Sequence, residues 1–156
     1  MRRKERRMDD ADASALLREG TFGVLSLTDT DGAPYGVPLN YAFLEDEGTL
    51  LFHCARTGRK LDCIRHESRV AFTVVGRWDV DAPRFTTRYS SVIVQGRASF
   101  VETEDELRKR LRQLCEALVP GQARTEEVIE KYLPRVAVVR VDIESISGKA
   151  NRGEDE

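Results

Sequence analysis

Six short segments rich in β-branched and aromatic residues run along this chain of 156 residues, and each is bounded by Gly, Pro or Asp turn signals. They cover residues 22–28, 35–44, 49–54, 69–75, 89–101 and 136–143. Residues 76–87 carry no periodicity and are expected to form a long surface loop. Strands of this length, separated by turns and short helices, are typical of small barrels. We therefore expect a mainly β fold with accessory helices, built as a six-stranded barrel.

Helix signals stand between these segments. Asp9 is a candidate N-cap of a first helix, and Gly20 ends that helix in the manner of a C′ glycine. Thr103 and Glu106 form a capping box ahead of an amphipathic helix. The apolar stripe of that helix comprises Leu107, Leu111, Leu114 and Leu118. Two further helices are expected over residues 59–66 and 125–133.

The composition, 40% hydrophobic and 33% charged, indicates one globular domain over residues 1–156, with flexible tails at 1–8 and 150–156. A net charge of −2 gives no general attraction to nucleic acid or to an anionic membrane. No apolar run approaches the roughly 20 residues needed to cross a bilayer. The basic N-terminus is interpreted as a solvated tail and not as a nucleic-acid-binding arm. Three cysteines do not make a disulfide framework, so we expect a cytoplasmic location.

One stretch of the sequence has the features of a phosphate-binding site. A predicted strand ends at His53, a turn containing Gly58 follows, and Arg59 and Lys60 begin a predicted helix. Exposed N–H groups at a helix start, together with two cations, suit a phosphate. The plainer alternative is that both cations are solvated charges on the helix surface.

The same region contains four residues of types that bind metals, which are His53, Cys54, Cys63 and His66. Adjacent residues on a strand point to opposite faces, so His53 and Cys54 would diverge. No second CxxC or CxxH pair completes a tetrahedral set, and no metal site is expected. Nucleophile-elbow, P-loop and zinc-protease motifs are also missing, which favours chemistry carried by a cofactor.

Three segments, taken together, resemble a known family. They read VPLNY at residues 37–41, FHCARTGRKLD at 52–62 and RYSSVIVQGRA at 88–98. Their order and spacing are similar to those of the nitroimidazole-resistance (Nim-type) branch of the pyridoxamine 5′-phosphate oxidase-like flavoproteins. The likeness runs from about Arg7 to Lys149. It implies a six-stranded FMN-binding split β-barrel that forms a homodimer, with an FMN in each of two clefts at the interface.

The resemblance also implies roles for individual residues. Residues 37–41 would lie along the isoalloxazine edge, with backbone groups of Leu39 and Asn40 reaching ring heteroatoms. His53 would be the candidate catalytic residue beside the flavin, and Arg59 and Lys60 would hold the phosphate. The implied cofactor-binding residues are Pro38, Leu39, Asn40, Tyr41, Phe52, His53, Arg59, Lys60, Tyr89, Ser90, Ser91 and Lys149. Plainer alternatives are an edge-strand proline at Pro38 and ordinary polar strand residues at Ser90 and Ser91.

The function implied is that of an FMN-dependent oxidoreductase. Hydride from a reduced nicotinamide would pass through the flavin to a small acceptor, such as a nitroaromatic or a quinone. The C-terminal substrate-binding segment of the true pyridoxamine-phosphate oxidases has no match here, so oxidation of vitamin B6 is not expected. Two alternatives remain open, namely a non-catalytic protein that carries or senses a flavin or haem, and a metal-sensing or nucleic-acid-binding module that uses Cys63, His66 and the basic tail.

Overall fold

The structure is a computed structural model that describes residues 3–153, and this range folds into one antiparallel sheet of seven strands with four α-helices. The strands are β1 (Phe22–Thr28), β2 (Pro34–Asn40), β3 (Ala42–Leu44), β4 (Thr49–Ala55), β5 (Arg69–Asp81), β6 (Thr86–Phe100) and β7 (Val136–Asn151). The α-helices are α1 (Asp10–Glu19), α2 (Arg59–His66), α3 (Glu104–Leu118) and α4 (Thr125–Tyr132). The expected mainly β fold with accessory helices is confirmed.

The order of the strands shows how the sheet closes. The order is β2-β1-β5-β6-β7-β4-β3, so β2 and β3 lie at opposite edges although only Tyr41 separates them along the chain. Because consecutive Cα atoms are about 3.8 Å apart, these two edges must meet in space and the sheet must roll into a barrel. No ladder joins β2 to β4 in the described part of the chain. The barrel is therefore open along a split between β2 and β4.

The expected number of six strands was one too few, because residues 35–44 were expected to form a single strand. The break falls at Tyr41, where the chain passes from one edge of the sheet to the other. Pro38 does not interrupt the strand and lies within β2 opposite Val24. Since β2 is an edge strand, it tolerates a residue without an N–H donor.

Residues 76–87 form a two-stranded ribbon, so the expected long loop was wrong. Beyond an irregularity that follows Val75, β5 and β6 stay paired as far as Asp81 and Thr86. The turn at the tip of the ribbon is tight and holds Phe85 at a φ of 49°. The ribbon depends on pairing between two strands, and residues 76–81 show no alternation of buried and exposed positions that would indicate it.

The last strand is longer than expected, since the sequence indicated a strand over residues 136–143 only. β7 continues to Asn151 because it pairs with the extended β6 from Val139 to Asn151. Residues 4–6 form a 3₁₀ turn, and Arg7 pairs with Lys149 of β7. Residues 1, 2 and 154–156 of the expected tails lie outside the described residues.

The helix boundaries follow the capping signals. Asp9 caps α1, since its carboxylate accepts the N–H of Asp12 at 2.7 Å. The end of α1 at Gly20 is confirmed, but the expected C′ conformation was wrong because Gly20 has a φ of −73°. Gly20 is needed for space instead, since a Cβ there would lie 2.5 Å from the hydroxyl of Tyr41. Thr103 caps α3 through the N–H of Glu106, as expected.

Two apolar clusters hold the fold together. One fills the barrel, with side chains such as Leu25, Phe52 and Phe72, and includes residues from α1 and α2. The other packs α3 and α4 against β3, β4 and β7 on the outside of the barrel. The predicted leucine stripe of α3 supplies this second contact. None of the described helices has the length and apolar character that a membrane span requires.

Candidate functional site

The split between β2 and β4 begins where one ladder stops. The pairing of β3 with β4 ends at Ala42 and Leu51, so beyond that point β4 is paired only with β7. β2 is likewise paired only with β1. The split is therefore bordered by two strand edges that carry unpaired backbone donors and acceptors. Edges of this kind readily accept another hydrogen-bonding group.

The closed end of the split consists of core residues. Tyr41 is 1% exposed and its hydroxyl donates a 2.8 Å hydrogen bond to the carbonyl oxygen of Leu17. Its ring packs edge-on against Phe72 with the centroids 4.9 Å apart, and burial raises the pKa of its hydroxyl. Phe52 is also fully buried. These two side chains support the barrel.

The β2 border of the split is held in place from the β1 side. The side-chain amide of Asn40 donates to the carbonyl oxygen of Thr21 at 2.9 Å, and the Tyr41 N–H donates to the same oxygen. Pro38 and Asn40 are exposed, while Leu39 is half-buried and packs against the core. These bonds fix the end of β2 in place. The backbone groups of this edge are therefore the part of β2 that is open to a ligand.

His53 lies on the β4 border. Its imidazole keeps contact with solvent and forms no hydrogen bond with another described residue. Partial burial, and then the nearby ammonium of Lys60, lower the pKa of His53 below its usual value. The ring is therefore neutral at pH 7, a form that has one nitrogen as donor and the other as acceptor.

The start of α2 presents a cation and unpaired backbone amides at the end of this border. Gly58 precedes the helix with a φ of 135°, a conformation that favours glycine, and it provides no side-chain cap. The N–H groups of Arg59 and Lys60 have no acceptor within residues 3–153. Lys60 is half-buried, and its ammonium has no carboxylate within ion-pair distance in that range. We refer to Lys60 and these two amides as the α2 corner.

Arg59 differs from Lys60 because it already has an anionic partner. Its guanidinium donates to the carboxylate of Asp29, with the Nε–Oδ2 distance at 2.6 Å. It also lies over the ring of Tyr35, 4.3 Å from the centroid. Arg59 therefore ties α2 to the β1–β2 hairpin at the open end of the split, and its charge is largely matched.

Asp29 and Tyr35 were missed by the sequence reasoning. The carboxylate of Asp29 has two further contacts, since it accepts the N–H of Thr30 at 2.7 Å and lies 3.6 Å from the thiol of Cys63. The Thr30 N–H and then the Arg59 guanidinium hold the pKa of this carboxyl below its usual value. Nothing in the spacing of Asp29 and Arg59 along the chain indicates the pair, because the fold alone brings the hairpin to α2.

The remaining expected site residues lie elsewhere on the sheet. Ser91 pairs with Val75 of β5 and with Lys149 of β7, several strands away from β2. At about 4.8 Å per strand, Ser91 and Lys149 lie roughly 15–20 Å from the split, measured along the sheet. The nearby ammonium of Lys149, and then the guanidinium of Arg6, lower the pKa of the Tyr89 hydroxyl. Within one chain, these residues are not brought together with His53 and Lys60.

An exposed apolar surface separates the two groups. Alternate residues of β1, β5 and β6 point away from the core, and several of them are large and apolar. We call this surface the outer patch, and its members with their exposed fractions are Phe22 (55%), Val24 (39%), Val75 (61%) and Ile93 (44%). Exposed apolar patches of this kind mark contact surfaces.

The possible metal ligands do not come together. Within residues 3–153, no group of three His, Cys, Asp or Glu side chains has the arrangement of a metal site. Cys63 is buried in α2, as expected for a small apolar residue. Cys54 is half-buried, and its burial raises the pKa of the thiol.

An antiparallel barrel that is open along one side is a split barrel. The family model for pyridoxamine 5′-phosphate oxidase matches residues 9–150. The chain therefore belongs to the pyridoxamine 5′-phosphate oxidase family. A search of curated proteins gave no significant match.

Solved structures share the fold. A proposed 5-nitroimidazole antibiotic resistance protein from Bacteroides thetaiotaomicron is 20% identical, with a TM-score of 0.78 over 92% of this chain and 85% of that chain. An FAD- and haem-binding protein from Mycobacterium smegmatis is 20% identical, with a TM-score of 0.77 over 93% of this chain and 72% of that one. An FAD-binding protein from the same organism is 23% identical, with a TM-score of 0.66 over 94% and 98%. At these identities, the likeness establishes the fold.

Proposed function

We propose that this chain binds FMN in the split between β2 and β4 and acts as an oxidoreductase. In this role it takes hydride from a reduced nicotinamide and delivers it to a small acceptor, a nitroaromatic or a quinone. The observation that carries the proposal is Lys60, a half-buried cation without a carboxylate partner in the described residues, beside two free amides. A cation beside unpaired amides at a helix start favours an anionic group such as a phosphate.

The rest of the split suits the flavin ring. The backbone edges of β2 and β4 offer donors and acceptors to ring heteroatoms, and Pro38 and Leu39 offer an apolar border. When bound, the flavin supplies the hydride chemistry. The neutral imidazole of His53 can hold or pass a proton at its ring nitrogens, and the α2 corner holds the phosphate. Family membership and the flavin-binding proteins of similar fold support this assignment.

The proposal includes a homodimer. The outer patch lies between the β2 edge on one side and Ser91 and Lys149 on the other. A two-fold axis through the patch would bury it, and it would carry Ser91 and Lys149 of each copy to the split of the other. Each FMN would then be held by both chains. The odd number of cysteines supports a cytoplasmic location as part of the same proposal.

A non-catalytic role in carrying or sensing flavin or haem is the second candidate, and His53 favours it. A neutral imidazole without a partner among the described residues is able to ligate haem iron. One protein of similar fold, from M. smegmatis, binds both FAD and haem by its description.

The absorption spectrum of the purified protein tests the proposal. We expect a flavin spectrum, either as purified or after addition of FMN, and oxidation of a reduced nicotinamide when a nitroaromatic or quinone is present. Flavin uptake without turnover for any of these acceptors would favour the carrier role. A Soret band without flavin uptake would overturn the FMN assignment.

A further inference from the structure

Side chains span the end of the split that lies opposite Tyr41. At the Tyr41 end, β2 passes into β3, and β3 pairs with β4 from there on. At the other end, Arg59 crosses from the start of α2 to the β1–β2 hairpin, where it contacts Asp29 and Tyr35. We call the contacts of Arg59 with these two residues the Arg59 bridge. The opening between β2 and β4 is therefore bounded at both ends.

The Arg59 bridge is held by an enclosed carboxylate. The Nε and a terminal nitrogen of Arg59 both lie 2.6 Å from the same oxygen of Asp29, whose side chain is 15% exposed. The other oxygen of Asp29 accepts the Thr30 N–H at 2.7 Å and lies 3.6 Å from the thiol of Cys63. The carboxylate is thus anchored both to its own turn and to α2. Because several contacts fix its position, the bridge is firmer than an ordinary surface ion pair.

The bridge begins at the α2 corner itself. The N–H of Arg59 is one of the two amides of the corner, and the side chain of the same residue extends to the hairpin. β4 ends at Ala55, and the short turn that follows leads directly into α2. A phosphate bound at the corner would therefore have the strands of the split on one side and the bridge on the other.

This arrangement suits a phosphate at which the ligand ends. A phosphate monoester stops at the corner and needs no further space along the split. A diphosphate continues into a second group, and the guanidinium of Arg59 and the ring of Tyr35 occupy that direction. The second group must then turn into solvent, where the split offers it no contact, or it must break the bridge. Either outcome lowers the affinity for the longer ligand.

We propose that the Arg59 bridge makes the split selective for a phosphate monoester, so that it binds FMN in preference to FAD. This inference rests on the proposed function, because it takes the flavin phosphate to lie at the α2 corner. Lys60 then attracts the phosphate, whereas Arg59, Asp29 and Tyr35 determine which flavin fits. The bridge gives Asp29 and Tyr35, which no local sequence pattern pointed to, a role in specificity.

Calorimetric titration of the flavin-free protein with FMN and with FAD tests the bridge. We expect the wild type to bind FMN about tenfold more tightly than FAD, and Arg59→Ala to reduce this ratio to about threefold or less. Both flavins carry phosphate charge, so loss of the guanidinium charge weakens both, and their ratio reports on space. Arg65→Ala is the matched control on the same helix, since Arg65 also pairs with a carboxylate, that of Asp62, and lies over a ring, that of Phe100. It should keep the wild-type ratio.

Asp29→Ala opens the bridge from the hairpin side and keeps the guanidinium. It should also raise the affinity for FAD relative to FMN, and it supplies the test if Arg59→Ala does not fold. A wild type that binds FAD as tightly as FMN, or an opened variant that keeps the wild-type ratio, would overturn the selectivity of the bridge alone. A wild type that binds neither flavin would overturn the proposed function, so the two failures are distinguishable.

Discussion

The hydroxyl of Tyr41 donates its hydrogen bond to the carbonyl oxygen of Leu17, and both residues are buried. Leu17 lies in the last turn of α1, where carbonyl groups have no partner within the helix. Tyr41 therefore caps the end of α1 with its side chain. Because Tyr41 also separates β2 from β3, this bond fixes the helix against the point at which the split begins.

Replacing Tyr41 by phenylalanine should destabilise the fold. The change leaves the buried carbonyl of Leu17 without its partner, which costs about 1–3 kcal/mol of unfolding free energy. Urea denaturation measures the loss. Tyr35→Phe is the matched control, since the Tyr35 hydroxyl has no hydrogen bond within residues 3–153 and its ring contact with Arg59 is kept. Equal losses in both variants would contradict the capping role.

Tyr41 also leads us to expect that the fold loses stability at alkaline pH. Burial raises the pKa of Tyr41 in the folded chain, so folding favours the protonated hydroxyl. This contribution is complete below the ordinary tyrosine pKa of about 10 and is lost as the pH rises above it. The unfolding free energy of the wild type should therefore fall above about pH 10. Tyr41→Phe should show a smaller fall, and an identical pH profile would contradict the assignment.

Lys60 and Arg59 should contribute differently to binding of the FMN phosphate. Lys60 is unpaired among the described residues, whereas Arg59 is matched by Asp29. Lys60→Gln should weaken FMN binding roughly ten- to hundred-fold, since a charge-assisted bond contributes about 1.5–3 kcal/mol. Arg59→Gln should weaken it less and should lower the thermal midpoint instead. Flavin titration and thermal denaturation measure the two effects.

Riboflavin distinguishes the contribution of the phosphate to binding from that of the ring. It lacks the phosphate, so its affinity should be the same in the wild type and in Lys60→Gln. Equal losses for FMN and riboflavin would show that Lys60 supports the ring or the fold.

Arg110 should be important for the contact between α3 and the barrel. Its side chain is 5% exposed, and it binds Glu106 and Glu47 with distances of 2.6 Å each. Arg110→Met leaves these two carboxylates facing each other and should cost about 2–3 kcal/mol, less than for a fully buried pair because both carboxylates reach solvent. Arg112→Met, which removes an exposed pair on the same helix, should change stability little.

The Arg110 contact also has a predicted pH dependence. The hydrogen bond from Arg110 holds the pKa of Glu47 below its usual value. Its stabilising effect is therefore present above the ordinary glutamate pKa of about 4.3 and is lost as the pH falls further. The wild type and Arg110→Met should converge in stability in acid. A difference that stays constant down to pH 3 would contradict this account.

Local signals allowed much of the fold to be predicted from the sequence. The caps at Asp9 and Thr103 located two helices, and the glycine-containing turns bounded β1 and β4. The ribbon at residues 76–87 was missed because its ladder depends on pairing between two strands and not on a signal within either one. The division of one expected strand at Tyr41 is likewise set by the closure of the barrel.

The candidate site was predictable only in part, for the same reason. His53, Gly58 and Lys60 are close in sequence, so one motif brought them together. Asp29 reaches Arg59 only through the fold, and it changes the expected role of that arginine. The distance of Ser91 and Lys149 from the split follows from strand order, which no local pattern in the sequence encodes.

The outer patch provides the last prediction. Ile93 lies between Thr73 and Ser147 on the outer face of the sheet, in the same row as Val24, and Ile93→Lys would place a charge within the proposed dimer contact. We expect a monomer by sedimentation, because burying an unpaired ammonium costs several kcal/mol. FMN affinity should fall by about tenfold or more, since the split would lose the donors of the second copy. Val128→Lys, at a similar exposure on α4, should leave both properties unchanged. If Ile93→Lys is a monomer with wild-type FMN affinity, the flavin is held by one chain and Ser91 and Lys149 have no part in its binding.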